Sequence, residues 1–255
     1  MFKKKDIVLD CYTYVPWVYD HAKINHGNKY MPQWWKDTPS RTNNGDDTIR
    51  VCQGLIDYYK SGIVIPSWFE IDFHIKSKYN TKENAYTWEA SNPAVNTDGS
   101  HSFDQWGLYS EDNGSNLKFD SPWVFKTQEL VQFTWTQPTW SMRDKIDQIT
   151  VLPAVVDYKY QHWTNINWLV LNKDEPKDIN IPSLTPMVIM HPMTDRNVII
   201  KNHLVSKEQW SRIGEGSEYM FLKGNKNIYQ SKKRLIDNVE KIEGCPYMSK
   251  GKLDE

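Results

Sequence analysis

The run Val131-Gln-Phe-Thr-Trp-Thr136 decides the fold. Val131, Phe133 and Trp135 fall on one side of an extended chain, and Gln132, Thr134 and Thr136 on the other. Successive side chains of a strand leave opposite faces, so this period of two marks a half-buried strand. Strand-like runs surround it: Trp123–Thr127 before, then Ile149–Tyr160, Asn165–Leu171, Ile179–Ile181 and Met187–Met190. Pro138, Pro153, Pro176, Pro182, Pro186 and Pro192 punctuate them. Proline has no N–H to give to a ladder, so these positions belong to strand starts, edges or turns. The span from Phe119 to Met193 reads as the β core.

Outward from it, Lys5–Tyr14 reads as a first strand stopped by Pro16, and residues 16–45 read as irregular. Asp47 or Thr48 caps a short helix over Ile49–Lys60, with Val51, Leu55 and Tyr58 on one face and Gly62 as its stop. Ile63–Pro66, Ser67–Ile75, Tyr86–Trp88 and Val198–Val205 add strands, and Asp98-Gly99 and Asn113-Gly114 are hairpin-turn signals. Ser206-Lys-Glu-Gln209 is a capping box that opens a helix bearing Trp210, with Gly214 and Gly216 at its end. Ile228–Glu243 carries Leu235, Val239 and Ile242 at helical spacing before Gly244. The expected fold is mainly β, a sandwich or a β-clip or barrel-like core, with a short helix in the N-terminal half and a C-terminal helix. Residues 1–205 are expected to form a single β-rich domain and 206–255 a C-terminal helical extension.

The 31 basic and 32 acidic residues leave a net charge of −1, which argues against a strong sequence-independent hold on nucleic acid. No apolar run reaches the ~18–20 residues of a membrane span, and the N-terminus lacks a signal-peptide segment. Cys11, Cys52 and Cys245 are far apart and odd in number, which fits a reducing compartment. Twelve Trp and fourteen Tyr exceed what one core needs, which leaves aromatic rings for binding surfaces.

None of the seven histidines forms a His-x-His pair, and His101 and His191 have carboxylates only at Asp104 and Asp195, so no metal site and no cofactor are expected. The chain has no phosphate-cradling glycine loop and no Gly-x-Ser-x-Gly elbow. Trp34-Trp35 beside Lys36 is a candidate binding platform, or a plug closing one end of a core. Lys232-Lys-Arg234 reads as a solvated helix face.

Val151-Leu-Pro-Ala-Val-Val-Asp-Tyr-Lys-Tyr160, then Trp168–Asn172 and Ile179–Met190, resembles the trimeric dUTPase and dCTP deaminase superfamily. The resemblance implies a β-clip fold, with Asp157 as water-activating carboxylate and Tyr160 as nucleobase-stacking ring. The phosphate-binding Ser motif of that family is not evident in Thr136–Arg143, which stands in its place. The chain departs from the family pattern at Ala154 and Lys159. A second resemblance covers residues 7–205. Pro32–Lys36, Thr48–Arg50, Gly54–Tyr58, Gly62–Trp68 and Ser121–Thr127 together are similar to an uncharacterised family common in large tailed phages of marine bacteria.

The expected function is non-enzymatic: a phage-encoded virion or assembly component that binds proteins, itself or other virion proteins. It would reside in the host cytoplasm during infection and in the virion, away from membranes. The binding residues are Trp34, Trp35 and Arg143. The alternative is a dUTPase-like or cupin-like enzyme, in which Asp157 and Tyr160 converge in a pocket with Arg143 or Asp72.

Overall fold

A computed structural model describes residues 5–80, 85–90, 114–141, 149–171 and 177–218. Among them the fold is mainly β, with several sheets and no closed barrel. The strands are β1 Ile7–Thr13, β2 Asn25–His26, β3 Ile63–Pro66, β4 Ile71–Asn80, β5 Ala85–Ala90, β6 Gly114–Lys126 and β7 Gln132–Thr136. They continue as β8 Ile149–Val151, β9 Ala154–Asp157, β10 Trp163–Leu171, β11 Lys177–Ile181, β12 Pro186–Pro192 and β13 Val198–Leu204. The helices are α1 Pro16–His21, α2 Gln33–Asp37, α3 Gln53–Ser61 and α4 Lys207–Glu218. One five-stranded sheet runs β13-β1-β6-β10-β8, a second runs β2-β3-β12-β7-β9, and β11-β4-β5 forms a third of three strands.

β7 sits inside the second sheet between β12 and β9. Phe133 is fully buried and Trp135 nearly so, while Gln132 is exposed and Thr134 half-exposed, as the alternation requires. All three sheets feed one apolar core: Leu9, Phe125 and Trp168 from the first, Ile65, Phe133 and Met190 from the second, and Ile71 and Ile181 from the third. Such burial supplies the main favourable term in folding, because it removes apolar surface from water.

Ile149–Tyr160 is not one strand. β8 pairs with β10 in the first sheet, and β9 pairs with β7 in the second. Leu152 and Pro153 lie between them. Proline breaks the ladder and turns the chain from one sheet to the other.

Residues 16–45 hold more order than their composition suggests. Pro16 ends the first strand but also opens α1, where its missing N–H costs nothing and its fixed φ suits a helix. Thr48 caps a 3-10 turn over Ile49–Val51 by accepting the Arg50 N–H, and α3 begins only at Gln53. That turn shifts the helical phase: Leu55 and Tyr59 are buried, whereas Val51 is exposed. Gly62 closes α3 with its N–H on the Tyr58 carbonyl. The strand expected from Ser67 starts at Ile71, after a turn in which Ser67 and Thr185 exchange hydrogen bonds.

β1 pairs antiparallel with β6 and parallel with β13, so the chain's first and last described strands lie side by side. Arg196, just before β13, fastens this closure. Its guanidinium donates to the Lys5 and Asp6 carbonyls and to the Glu129 carboxylate. The capping box forms as its spacing requires: the Gln209 N–H donates to Ser206 Oγ at 3.2 Å, and the Ser206 N–H to Gln209 Oε1 at 3.0 Å. Gly214 does not end α4, which runs on to Glu218. The helix expected over Ile228–Glu243, Lys232–Arg234 and the hairpin signals Asp98-Gly99 and Asn113 lie outside the described residues.

Phe133→Ala empties a fully buried site and should cost ~3–5 kcal/mol, read as a lowered denaturation midpoint. An unchanged midpoint contradicts the register of β7. A second outcome concerns pH. The hydrogen bond from Arg196 holds the Glu129 carboxyl below the ordinary glutamate range. A lowered carboxyl pKa adds stability above the ordinary value, and that stability is lost as pH falls through the lowered one. The melting temperature should therefore fall below about pH 4, less steeply in Glu129→Gln. Parallel acid limbs in the two proteins contradict the role given to this pair.

Candidate functional site

Alternation on two neighbouring strands builds a cleft. On β6, Phe119 enters the core while Lys118 and Asp120 take the opposite face. On β10, Ile166 and Trp168 enter the core while Asn165 and Asn167 take the opposite face. The register places Asn165 across from Asp120 and Asn167 across from Lys118. Four polar side chains thus form two adjacent rungs on one face of the sheet.

These four side chains line a cleft of about 1040 Å³. Its walls include Tyr14, Trp68, Phe69, Trp163 and Trp210, and one lip is β9 at Ala154–Val156. Lys118 Nζ stands 4.0 Å from Asp120 Oδ1. With its amide oxygen turned toward the lysine, Asn165 joins the two charges: its Nδ2 donates to Asp120 at 2.8 Å and its Oδ1 accepts from Lys118 at 3.1 Å. Asn167 Oδ1 is buried and meets no hydrogen-bond donor among the described residues.

Helix α4 helps close the cleft. Trp210 donates its indole N–H to the Pro122 carbonyl at 3.1 Å and stands edge-on to Trp163, centroids 4.1 Å apart. It also packs edge-on against Tyr14 at 4.7 Å. Gly214 is fitted to this packing, because a Cβ there would lie 2.0 Å from the Trp163 ring. Lys207 sits at the cleft with its ammonium 5.8 Å from the Tyr14 ring centroid. On the other side Phe69 carries the stacked ring of Trp17, centroids 5.2 Å apart.

The residues singled out from the sequence lie elsewhere. Trp35 is buried, donates its indole N–H to the Ile49 carbonyl and carries the Arg50 guanidinium 3.9 Å above its ring. With Leu55, Tyr59, Val64 and Ile189 it makes a small second core under α2 and α3. Trp34 packs at the margin of that core and donates to the Trp140 carbonyl at 3.1 Å. The pair plugs one side of the second sheet. Asp157 ends β9, where its carboxylate accepts the Lys159 N–H at 3.0 Å and its carbonyl accepts the Tyr160 and Gln161 N–H groups. That is turn capping, the local role that short polar side chains take at strand ends. Tyr160 is buried, and neither it nor Asp157 lines the cleft. Asp72 lies on β4, where its carboxylate accepts from Asn180 of β11. Arg143 and His101 lie outside the described residues.

The sequence reading passed over Lys118, Asp120, Asn165 and Asn167. Their signal was present as two polar-apolar alternations around Phe119 and Ile166, but their pairing depends on a register that no local pattern fixes.

The sequence matches no family model and no curated protein. Among the described residues no three His, Cys, Asp or Glu side chains group as metal ligands, and no helix is long and apolar enough to cross a membrane.

Two substitutions check the site's construction. Gly214→Ala should cost ~1–3 kcal/mol and alter the tryptophan emission, because α4 must withdraw from Trp163. Asp157→Ala should cost ~1 kcal/mol and Asp157→Asn less, because an asparagine oxygen still caps the turn. Denaturation midpoints unmoved by Gly214→Ala and Asp157→Ala contradict these assignments.

Proposed function

We propose that the protein is a non-catalytic binding protein that docks other protein chains. In the setting its sequence resemblance suggests, it is a phage-encoded assembly or virion component. The observation that carries this reading is the edge strand β13. It spans seven residues, pairs on one side with β1, and has no partner on the other among the described residues. Ile199 is 40% exposed on it and Leu204 46% exposed. Sheet edges of monomeric proteins are usually blunted by proline, bulges or inward charges, because open backbone groups recruit further strands. β13 contains no proline, and its one lysine is Lys201. An extended edge with apolar side chains is the surface that strand addition uses, main-chain hydrogen bonds giving affinity and side chains giving specificity.

The second sheet supports the same reading. Met193 follows β12 and Leu130 precedes β7, and both are more than half exposed. A net charge near zero further favours association. A binding role also suits Asp157, whose carboxylate is engaged in capping its own turn.

The test is sedimentation velocity on the wild type and on the double variant Ile199→Lys/Leu204→Lys. The wild type should self-associate at high micromolar concentration and the variant should sediment as a folded monomer. A wild type that is monomeric and gains no partner from co-expressed structural proteins of its source contradicts the proposal.

A further inference from the structure

We infer that the cleft beside β6 and β10 is a binding site for a neutral saccharide. This goes beyond protein docking and uses a different surface. Lys118, Asp120, Asn165 and Asn167 present a donor, a carboxylate and two amides on adjacent rungs of one sheet face. Vicinal hydroxyls both donate and accept, so a sugar ring can bridge neighbouring groups of this kind, whereas a purely apolar ligand would leave them desolvated and unpaired.

Charge selects further. Asn165 ties Lys118 to Asp120, so these rungs hold one cation and one anion that cancel, while the exposed Lys207 also lines the cleft. An anionic ligand would meet the Asp120 carboxylate, and a cationic one the Lys118 ammonium. A hydroxyl can add to the network without breaking it. Asn167 supplies the second, independent observation: its buried side-chain oxygen has no donor among the described residues. A buried acceptor left unpaired is costly, so a ligand that brings an O–H or N–H to it gains more than an ordinary surface hydrogen bond.

The walls fit the same class. Sugar rings carry faces of C–H groups that pack on aromatic rings, while their rims hydrogen-bond to planar polar side chains. Phe69, Trp163 and Trp210 line the cleft together with the polar rungs, and each is partly exposed. The volume of about 1040 Å³ lies at the upper end of the ~300–1,000 Å³ usual for small-molecule sites, which suits an oligosaccharide better than one ring.

An extended peptide is less well served here. β7 gives its Gln132 carbonyl to Met193 on the β12 side, so Phe133 and Trp135 bond to Val156 and Ala154. The main-chain groups of Val155 and Asp157 then point away from β7, and the Asp157 carbonyl is already taken by Tyr160 and Gln161. The lip offers a peptide one complete N–H and C=O pair, at Val155.

The experiment is a glycan array of neutral and charged oligosaccharides on the full chain, followed by calorimetric titration with the neutral hits and with maltotriose, cellotriose and triacetylchitotriose. Saturable binding of a neutral oligosaccharide is expected, with a change in tryptophan emission. Asn167→Ala and Lys118→Met should each weaken it about tenfold, the equivalent of ~1.4 kcal/mol, with melting temperature confirming that each variant is folded. Three results overturn the inference: no neutral glycan bound, binding untouched by the folded variants, or binding confined to charged glycans or extended peptides. Because Ile199 and Leu204 do not line the cleft, the double variant at those positions should keep its saccharide affinity, which separates this failure from that of the docking proposal.

Discussion

The structure depends on how its two large sheets are fastened, and the fastening is the Tyr158 hydroxyl. Tyr158 follows β9, is fully buried, and packs against Phe125 of the first sheet and Phe133 of the second, with centroids 4.9 and 5.1 Å away. Its oxygen accepts the Trp135 indole N–H at 2.9 Å and lies 3.0 Å from the Met190 sulfur. A phenol can occupy an apolar core only when its oxygen is paired, and here the pairing also satisfies a tryptophan that would otherwise bury a bare N–H. One ring therefore joins β6, β7 and β12.

The rest follows from that junction. Pro153 lets the chain cross from β8 to β9 within a few residues, and the Asp157 turn delivers Tyr158 to the core. The same crossing leaves β9 as an edge, so its lip faces the polar rungs of β6 and β10 across the cleft. The Arg196 latch draws β13 beside β1 and places its other edge at the end of the first sheet. Cleft and open edge are thus separate products of one topology, and a binding function can use both without interference.

Much of this was legible in the sequence where the physics is local. The alternation in Val131–Thr136 identified a half-buried strand because one face meets the core and the other meets water. The Ser206–Gln209 box named a helix start because its two hydrogen bonds close within four residues. Gly214 misled for the opposite reason. Its role is set by Trp163, a distant residue whose ring leaves no room for a Cβ, and so it sits within α4 instead of ending it. Residues 16–45 looked irregular because their short helices are held by tertiary contacts such as Trp35 on Ile49. The cleft was the least visible feature. Asn165 and Asp120 are ordinary polar residues until strand register sets them side by side, whereas Trp34-Trp35 stand out by composition, Trp35 in the second core and Trp34 at its margin.

A buried hydroxyl couples the two sheets, and Tyr158→Phe tests this directly. The substitution keeps the ring and removes the oxygen. Urea denaturation of the variant should show a loss of ~1–3 kcal/mol with an unchanged slope, because the Trp135 N–H is left buried without this acceptor. A variant as stable as the wild type would contradict the claim that this junction holds the two sheets together.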